Sequence, residues 1–348
     1  MARHTAPLFE TAVTRLLGIR HPILCGGLMW LSTAPYVAAV GRAGGIGFLT
    51  ARTFPDLGAF RAEIQACRDL AAGAPFGVNL HLSHRPEANA LMPAYVRVLV
   101  EEGVRVVETS GLSPTALLPA LREGGCTVLH KVAAIRHAER AARDGVDAVT
   151  VVGAECGGHP GPRPLGTMVQ TPLLAARALP VPVLVGGGIG TGAQIVAALA
   201  MGAAGVVLGT RMLVAEELQT DPAIKRRMVE ADAQASRLVL AGHPAAMRVL
   251  DNATARAVAD LEATGETDFA AYRPLVEGGL QKQAYQTGDA DQGLLSMGPA
   301  VAFADRVEPV AAIYDRLLTE AAAALETLGT LTLHPHPTRK TEAPNRHA

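Results

Sequence analysis

The chain has 348 residues and a formal net charge of −1, enough length for one large α/β barrel or for two smaller domains. The near-neutral balance leaves no electrostatic footprint for nucleic acid and no basic cluster for a membrane surface. Aromatic residues, at 4%, are too few for base-stacking platforms, while 49% hydrophobic residues supply a sizeable core. The four cysteines, Cys25, Cys67, Cys126 and Cys156, are widely spaced without a CxxC pair. Neither a zinc site nor a disulfide framework is expected, and a reducing cytoplasm is the expected compartment. The first residues, "MARHTAPLFETAVTRLLG", lack a long apolar core and a small-residue cleavage site, so no signal peptide is expected. No apolar run approaches the roughly 20 residues of a membrane span.

Taken in order, the chain repeats one unit: a short apolar run, a glycine or polar turn, then an alanine-rich amphipathic stretch. The short runs are "HPILCGG" (21–27), "GIGFLT" (45–50), "FGVNL" (76–80), "VRVVETS" (104–110), "CTVLHK" (126–131), "DAVTVV" (147–152), "VPVLVGG" (181–187) and "AGVVLGT" (204–210). Helix-like stretches such as "LGAFRAEIQACRDLAAG" and "GAQIVAALAMG" fill most intervals, and several end in glycine, as helix C-termini often do. Short apolar strands without polar alternation suit a parallel sheet buried on both faces. Eight such units in series predict an α/β (β/α)8 TIM barrel over 10–219; an open doubly wound sheet is the alternative. The rhythm then breaks. "DPAIKRRMVEADAQASRLVL" reads as a helix, and 220–303 reads as a smaller, mainly helical second domain that forms a lid or substrate region. Residues 304–329 predict an amphipathic helix returning to the barrel, and 330–348 a disordered tail.

Barrel sites gather at the C-terminal strand ends. Here those ends offer Gly26–Gly27–Leu28, Asn79, Glu108–Ser110, His130–Lys131, Glu155–His159, Gly186–Gly188 and Gly209–Thr210. A rim this rich in glycine, with a few polar groups, suits a phosphate-bearing cofactor. "GGGIGTGAQIVAAL" (186–199) is a glycine turn feeding a helix, whose bare N–H groups are expected to bind phosphate together with Gly209 and Thr210. Gly188, Gly190 and Ala193 also fit a relaxed dinucleotide fingerprint, but the next strand, ending "VVLGTR", lacks the acid that would hold ribose hydroxyls.

Each candidate has a plainer reading. Asn79 could cap a helix or close a turn. Lys131 at a strand end must reach solvent or meet an anion, and an anion is the expectation. Cys156 reads as a small buried filler. His21, His84, His137 and His243 read as surface or capping residues. His334 and His336 lie in the tail, and no metal constellation is expected. His159, in "ECGGHPG" (155–161), could be a turn residue, a capping donor or a satisfied loop histidine. Its place after the sixth strand, between glycines that permit close ligand approach, favours a functional role.

Together, "HPILCGGLMW", "AGGIGFLT", "PFGVNL", "HKVAAIRHAERAARDGVDAVTVVGAECGGHPG", "VPVLVGGGIGTGAQIVAALAMGAAGVVLGTRML" and "YQTGDADQGLLSMG" make the chain resemble the FMN-dependent nitronate monooxygenase family, formerly 2-nitropropane dioxygenases, from about residue 10 to 325. The resemblance implies an FMN-binding barrel with a smaller helical domain over the flavin. Gly27, Leu28 and Met29 would line the flavin through their backbone. Asn79 and His81 would approach the ring edge, and Lys131 its polar N1/O2 side. Gly157 and Gly158 would skirt the cofactor. Gly186, Gly187, Gly188, Gly209 and Thr210 would bind its phosphate. His159 would be the catalytic histidine over the ring, with "LLSMG" (294–298) beside it. The implied reaction is oxidation of alkyl nitronates by O2; the alternative is an NAD(P)H:quinone reductase, a related branch. Cys25 stands where relatives often carry Gln, and His81 where a small hydroxyl residue is expected. A non-catalytic flavin-binding barrel is the reading from another class. Implied partners are small molecules, a nitronate or quinone with O2 or NAD(P)H, with no nucleic acid or membrane; a homodimer is the assembly allowed for.

Overall fold

The computed structural model describes residues 7–243 and 245–331. Each of the eight apolar runs forms one strand: β1 (Ile23–Cys25), β2 (Ile46–Thr50), β3 (Gly77–Leu82), β4 (Val106–Gly111), β5 (Thr127–Val132), β6 (Ala148–Val152), β7 (Val183–Gly186) and β8 (Gly205–Leu208). They pair in parallel in chain order, and β8 closes on β1, so the fold is a TIM barrel and the open doubly wound sheet is excluded. The helices are α1 (Ala12–Leu17), α2 (Ala34–Arg42), α3 (Leu57–Ala71), α4 (Met92–Glu101), α5 (Leu118–Glu123), α6 (Ile135–Asp144), α7 (Thr167–Ala175) and α8 (Gly192–Ala200). Of these, α7 in the interval before β7 is the hardest to read from the sequence. Pro172 inside α7 and its β-branched threonines and valine hide the helical pattern there.

Period-two alternation sorts each strand into a face toward the helices and a face toward the barrel axis. Leu24, Phe48, Val106, Leu129, Ala148, Leu184 and Val207 form one buried cluster with Val13 and Leu17 of α1, so the lower barrel is solid hydrocarbon. The next inward positions, two residues further along the same strands, change character. They are Gly26, Thr50, Glu108, Lys131, Thr150, Gly186 and Gly209, with Asn79 between Thr50 and Glu108 in register. A polar floor thus sits on the apolar plug. Glycine takes this position on three adjacent strands, β7, β8 and β1, and polar side chains take it on β2 to β6.

After β8 the chain leaves the barrel. α9 (Pro222–Val229) stops well short of the helix expected through 240, because Ser236–Val239 instead forms β9, paired antiparallel with β10 (Met247–Leu250). This ribbon packs with α10 (Ala253–Ala263) and α11 (Phe269–Val276) around Val239, Leu240, Val249, Val258 and Tyr272, and α12 (Gly278–Thr287) follows. Alongside its helices, then, the region after β8 carries a two-stranded sheet. α13 (Val310–Leu331) packs against α8 and α2, in the outer ring. No helix among the described residues is long and apolar enough to cross a membrane. The tail expected to be disordered lies, from 332 onward, outside the described residues, as do His334 and His336.

Candidate active site

At the C-terminal mouth of the barrel lies a cavity of about 1030 Å3. Every residue singled out from the sequence as cofactor-binding or catalytic lines it: Gly27, Leu28 and Met29 after β1; Asn79 and His81 on β3; Lys131 on β5; Gly157, Gly158 and His159 after β6; Gly186, Gly187 and Gly188 at β7; Gly209 and Thr210 after β8. Ser296 of the "LLSMG" segment lines it as well.

The floor is organised by a residue that the sequence reading quoted but did not select. Glu108, fully buried, accepts hydrogen bonds at Oε1 from Lys131 Nζ (2.7 Å) and Asn79 Nδ2 (2.6 Å). The anion expected for Lys131 is therefore present within the protein, and Asn79 neither caps a helix nor closes a turn. Glu108 Oε2 is buried without a partner, as are the hydroxyls of Thr50 and Thr150. Inward parity on the strands was the signal that would have found Glu108, Thr50 and Thr150.

The histidines divide by environment. His81 Nδ1 lies 3.2 Å from Ser110 Oγ; burial, aided by the neighbouring basic groups of His159, Arg52, Lys131 and His84, pushes its pKa down to about 4. His130 is buried beside Thr109 Oγ1 at 2.9 Å and is likewise pushed down to about 4, chiefly by burial. His159 faces the open cavity, yet the crowded wall, more than nearby His84, holds its pKa below the ordinary value. All three imidazoles are neutral at pH 7. Two of the surface histidines are placed differently from expectation. His21 is buried beneath the barrel wall. His243 packs edge-on against Phe269 and Tyr272 and lines the cavity.

The loop carrying His159 is held from two sides. Gly158 and Arg248 of β10 exchange backbone hydrogen bonds of 2.9 and 2.7 Å, and Arg248 Nε donates to Ala154 O at 2.9 Å. Glu155 accepts from Thr167 N and Oγ1, both at 3.0 Å, at the start of α7. These contacts revise the reason for the two glycines. A Cβ on Gly157 would come within 3.0 Å of Met297 Cα, and Gly158 has φ +88°. Chain packing and left-handed backbone require them, before any ligand does. Cys156 is half-buried on the cavity wall, not a core filler; its thiol donates to Gly157 O at 2.9 Å, and crowding raises its pKa to about 11, so it is not a thiolate at neutral pH.

The expected phosphate donors at the start of α8 are already used. Gly190 N and Thr191 N donate to Gln194 Oε1 (2.8 and 3.1 Å), and Gly192 N donates to Glu320 Oε2 (2.8 Å). Among the described residues, the backbone N–H groups of Gly187, Gly188, Gly209 and Thr210 donate no turn or loop hydrogen bond, so four donors remain in residues that line the cavity. Beside them the glycine positions of β7, β8 and β1 leave the floor clear. A Cβ at Gly26 would stand 3.3 Å from Lys131 Nζ, and one at Gly186 2.9 Å from Val207 O. No group of three or more metal-ligating side chains is assembled among the described residues.

Comparison with known proteins matches this architecture. FabK from Thermotoga maritima superposes with a TM-score of 0.84 at 32% identity, covering 93% of this chain and 99% of that one. A Nitronate monooxygenase from Paraburkholderia phytofirmans is 29% identical over 92% of this chain and 97% of its own length. The (3aS,4S,5R,7aS)-5-hydroxy-7a-methyl-1-oxo-octahydro-1H-indene-4-carboxyl-CoA dehydrogenase of Mycobacterium tuberculosis is 34% identical, over 64% of this chain and only 61% of that protein. The profile of the Nitronate monooxygenase family matches residues 10–320, and the chain belongs to that family of oxidoreductases.

Proposed function

We propose that the protein is an FMN-dependent oxidoreductase of the nitronate monooxygenase type, oxidising an alkyl nitronate with O2, with His159 contacting the substrate. The observation that carries this reading is the convergence on one cavity of a neutral imidazole, a lysine fixed by a buried carboxylate, and four unused backbone donors. The residues fit the cofactor: Gly187, Gly188, Gly209 and Thr210 would hold its phosphate, and the glycine positions of β7, β8 and β1 leave space for a flat ring. When bound, FMN supplies the two-electron redox chemistry. The chain's own part is orientation and proton handling. Neutral His159 is free to accept the α-proton of a nitroalkane, which yields the nitronate, or to donate its N–H to the nitronate oxygens. Lys131, held by Glu108, keeps one positive charge at the cavity floor. Four free cysteines, three of them buried, suit a reducing cytoplasm.

Anaerobic mixing tests the reading. Purified protein should be yellow, and a nitronate should bleach it; rapid bleaching by NADH alone would favour the NAD(P)H:quinone reductase alternative. Failure of any reductant to bleach bound flavin would leave only a binding barrel. A second reading, a flavin dehydrogenase acting on a thioester, draws on the Mycobacterium tuberculosis relative named for a carboxyl-CoA substrate and on the charge distribution considered next.

A further inference from the structure

The outer half of the cavity differs in charge from its floor. Arg85 after β3, Arg136 and Arg140 on α6, and Arg163 after β6 all line it and all are exposed. Among the described residues, Arg85, Arg136 and Arg163 form no ion pair, while Arg140 makes one loose pair with Asp144 at 3.6 Å. The two acids that line the cavity are already engaged. Glu155 accepts from Thr167, and Asp144 accepts from Ser113 and Thr115 besides Arg140. α6 opens with Arg136 and His137 and carries no acid in its first turn, the reverse of what the helix dipole favours. Four guanidinium groups converging on one opening repel one another and are costly without an anion to meet. The chain overall is close to neutral, so the clustering is local and arises only when two loops and α6 come together.

Position separates this rim from the proposed FMN phosphate site. The arginines stand over β3, β5 and β6; the four free backbone donors follow β7 and β8, the next strands round the closed barrel. At about 1030 Å3, the cavity is at the upper end of the ~300–1,000 Å3 typical of ligand pockets, roomy for a flavin with a nitroalkane of a few atoms.

We propose that the substrate is carried on a coenzyme A arm: the reacting group sits under His159 and the phosphates of the nucleotide end bind Arg85, Arg136, Arg140 and Arg163. Guanidinium forks suit phosphate oxygens, and several cations match the several phosphates of coenzyme A better than the single phosphate of a pantetheine arm. The inference rests on the flavin-oxidoreductase reading and sides with its thioester form.

The test is calorimetric titration of the full-length protein, in its flavin-bound form, with coenzyme A and separately with 4′-phosphopantetheine. Coenzyme A should bind at least tenfold more tightly than phosphopantetheine. The Arg136→Gln/Arg140→Gln variant, and independently Arg163→Gln, should weaken coenzyme A at least tenfold while bound flavin, read by absorbance in the same samples, stays unchanged. These arginines are solvent-exposed, so folding is not at stake. A wild-type protein that ignores coenzyme A, equal binding of the two probes, or variants with unaltered affinity would each overturn the proposal. A yellow protein that ignores coenzyme A sinks this inference alone; a colourless one that binds it sinks the flavin reading alone.

Discussion

At the residue scale, the account turns on three side chains. If neutral His159 handles the substrate proton, His159→Asn should lower kcat by roughly 10²–10⁴-fold and leave bound flavin unchanged. Its folded pKa lies below the ordinary 6.5, so the acid limb of wild-type activity that needs the neutral ring should have its midpoint below pH 6.5. A pH–rate profile whose acid limb begins above 7 would assign the base elsewhere. Glu108 and Lys131 form the second test. Lys131→Met leaves a buried carboxylate without its cation and should destabilise the protein by about 3–5 kcal/mol in urea unfolding, whereas adding Glu108→Gln should recover most of that loss. A double variant no better than the single one would mean the pair is not coupled.

His130 gives a linkage prediction at the same scale. Its folded pKa of about 4 lies below the unfolded value of 6.5. Between these values the unfolded chain binds the extra proton. The stability from keeping His130 neutral is therefore complete above pH 6.5 and is lost as pH falls toward 4, by about 3 kcal/mol. His130→Gln should flatten that part of the stability–pH curve, and an unchanged slope would contradict it.

At the scale of elements, β10 positions the loop that carries His159. Its Arg248 joins Gly158 by two backbone bonds and reaches Ala154 O with its side chain. Arg248→Ala removes only the side-chain bond. It should raise amide hydrogen exchange across 154–161, and should lower kcat more than it changes flavin affinity. Equal exchange in both proteins would show that the backbone pair alone holds the loop. The ribbon supplying this strand was not legible in the sequence. "ASRLVL" follows a genuine helix without a turn signal, and its partner "MRVL" is too short to show alternation against its surroundings. The eight barrel strands were legible because each is a compact apolar run bounded by glycine or charge. The rim residues could be read from strand ends; the floor residues needed strand parity, since parity turns Glu108 of "VVETS" inward with Val106 while Thr109 beside it faces away. The start of α8 looked like a phosphate cradle because a glycine turn before a helix has that form. The groups that fill its donors, Gln194 and Glu320, are side chains, and Glu320 comes from α13, more than a hundred residues away. Pattern reading along the chain does not see such long-range caps.

At the scale of the whole molecule, the barrel divides its labour around the ring. β7, β8 and β1 offer glycine and bare backbone; β2 to β6 offer hydroxyls, amide, carboxylate and ammonium; the segments after β3, β5 and β6 add the arginines. That asymmetry explains how a nearly neutral chain presents a charged mouth. The central claim, that the bare side receives a flavin phosphate, is tested most directly by titrating flavin-stripped protein with FMN and with riboflavin while following flavin fluorescence. One equivalent of FMN should bind per chain, and riboflavin, which leaves the backbone donors of Gly187, Gly188, Gly209 and Thr210 unused, should bind at least tenfold more weakly. No binding of FMN, or equal binding of both flavins, would contradict the account.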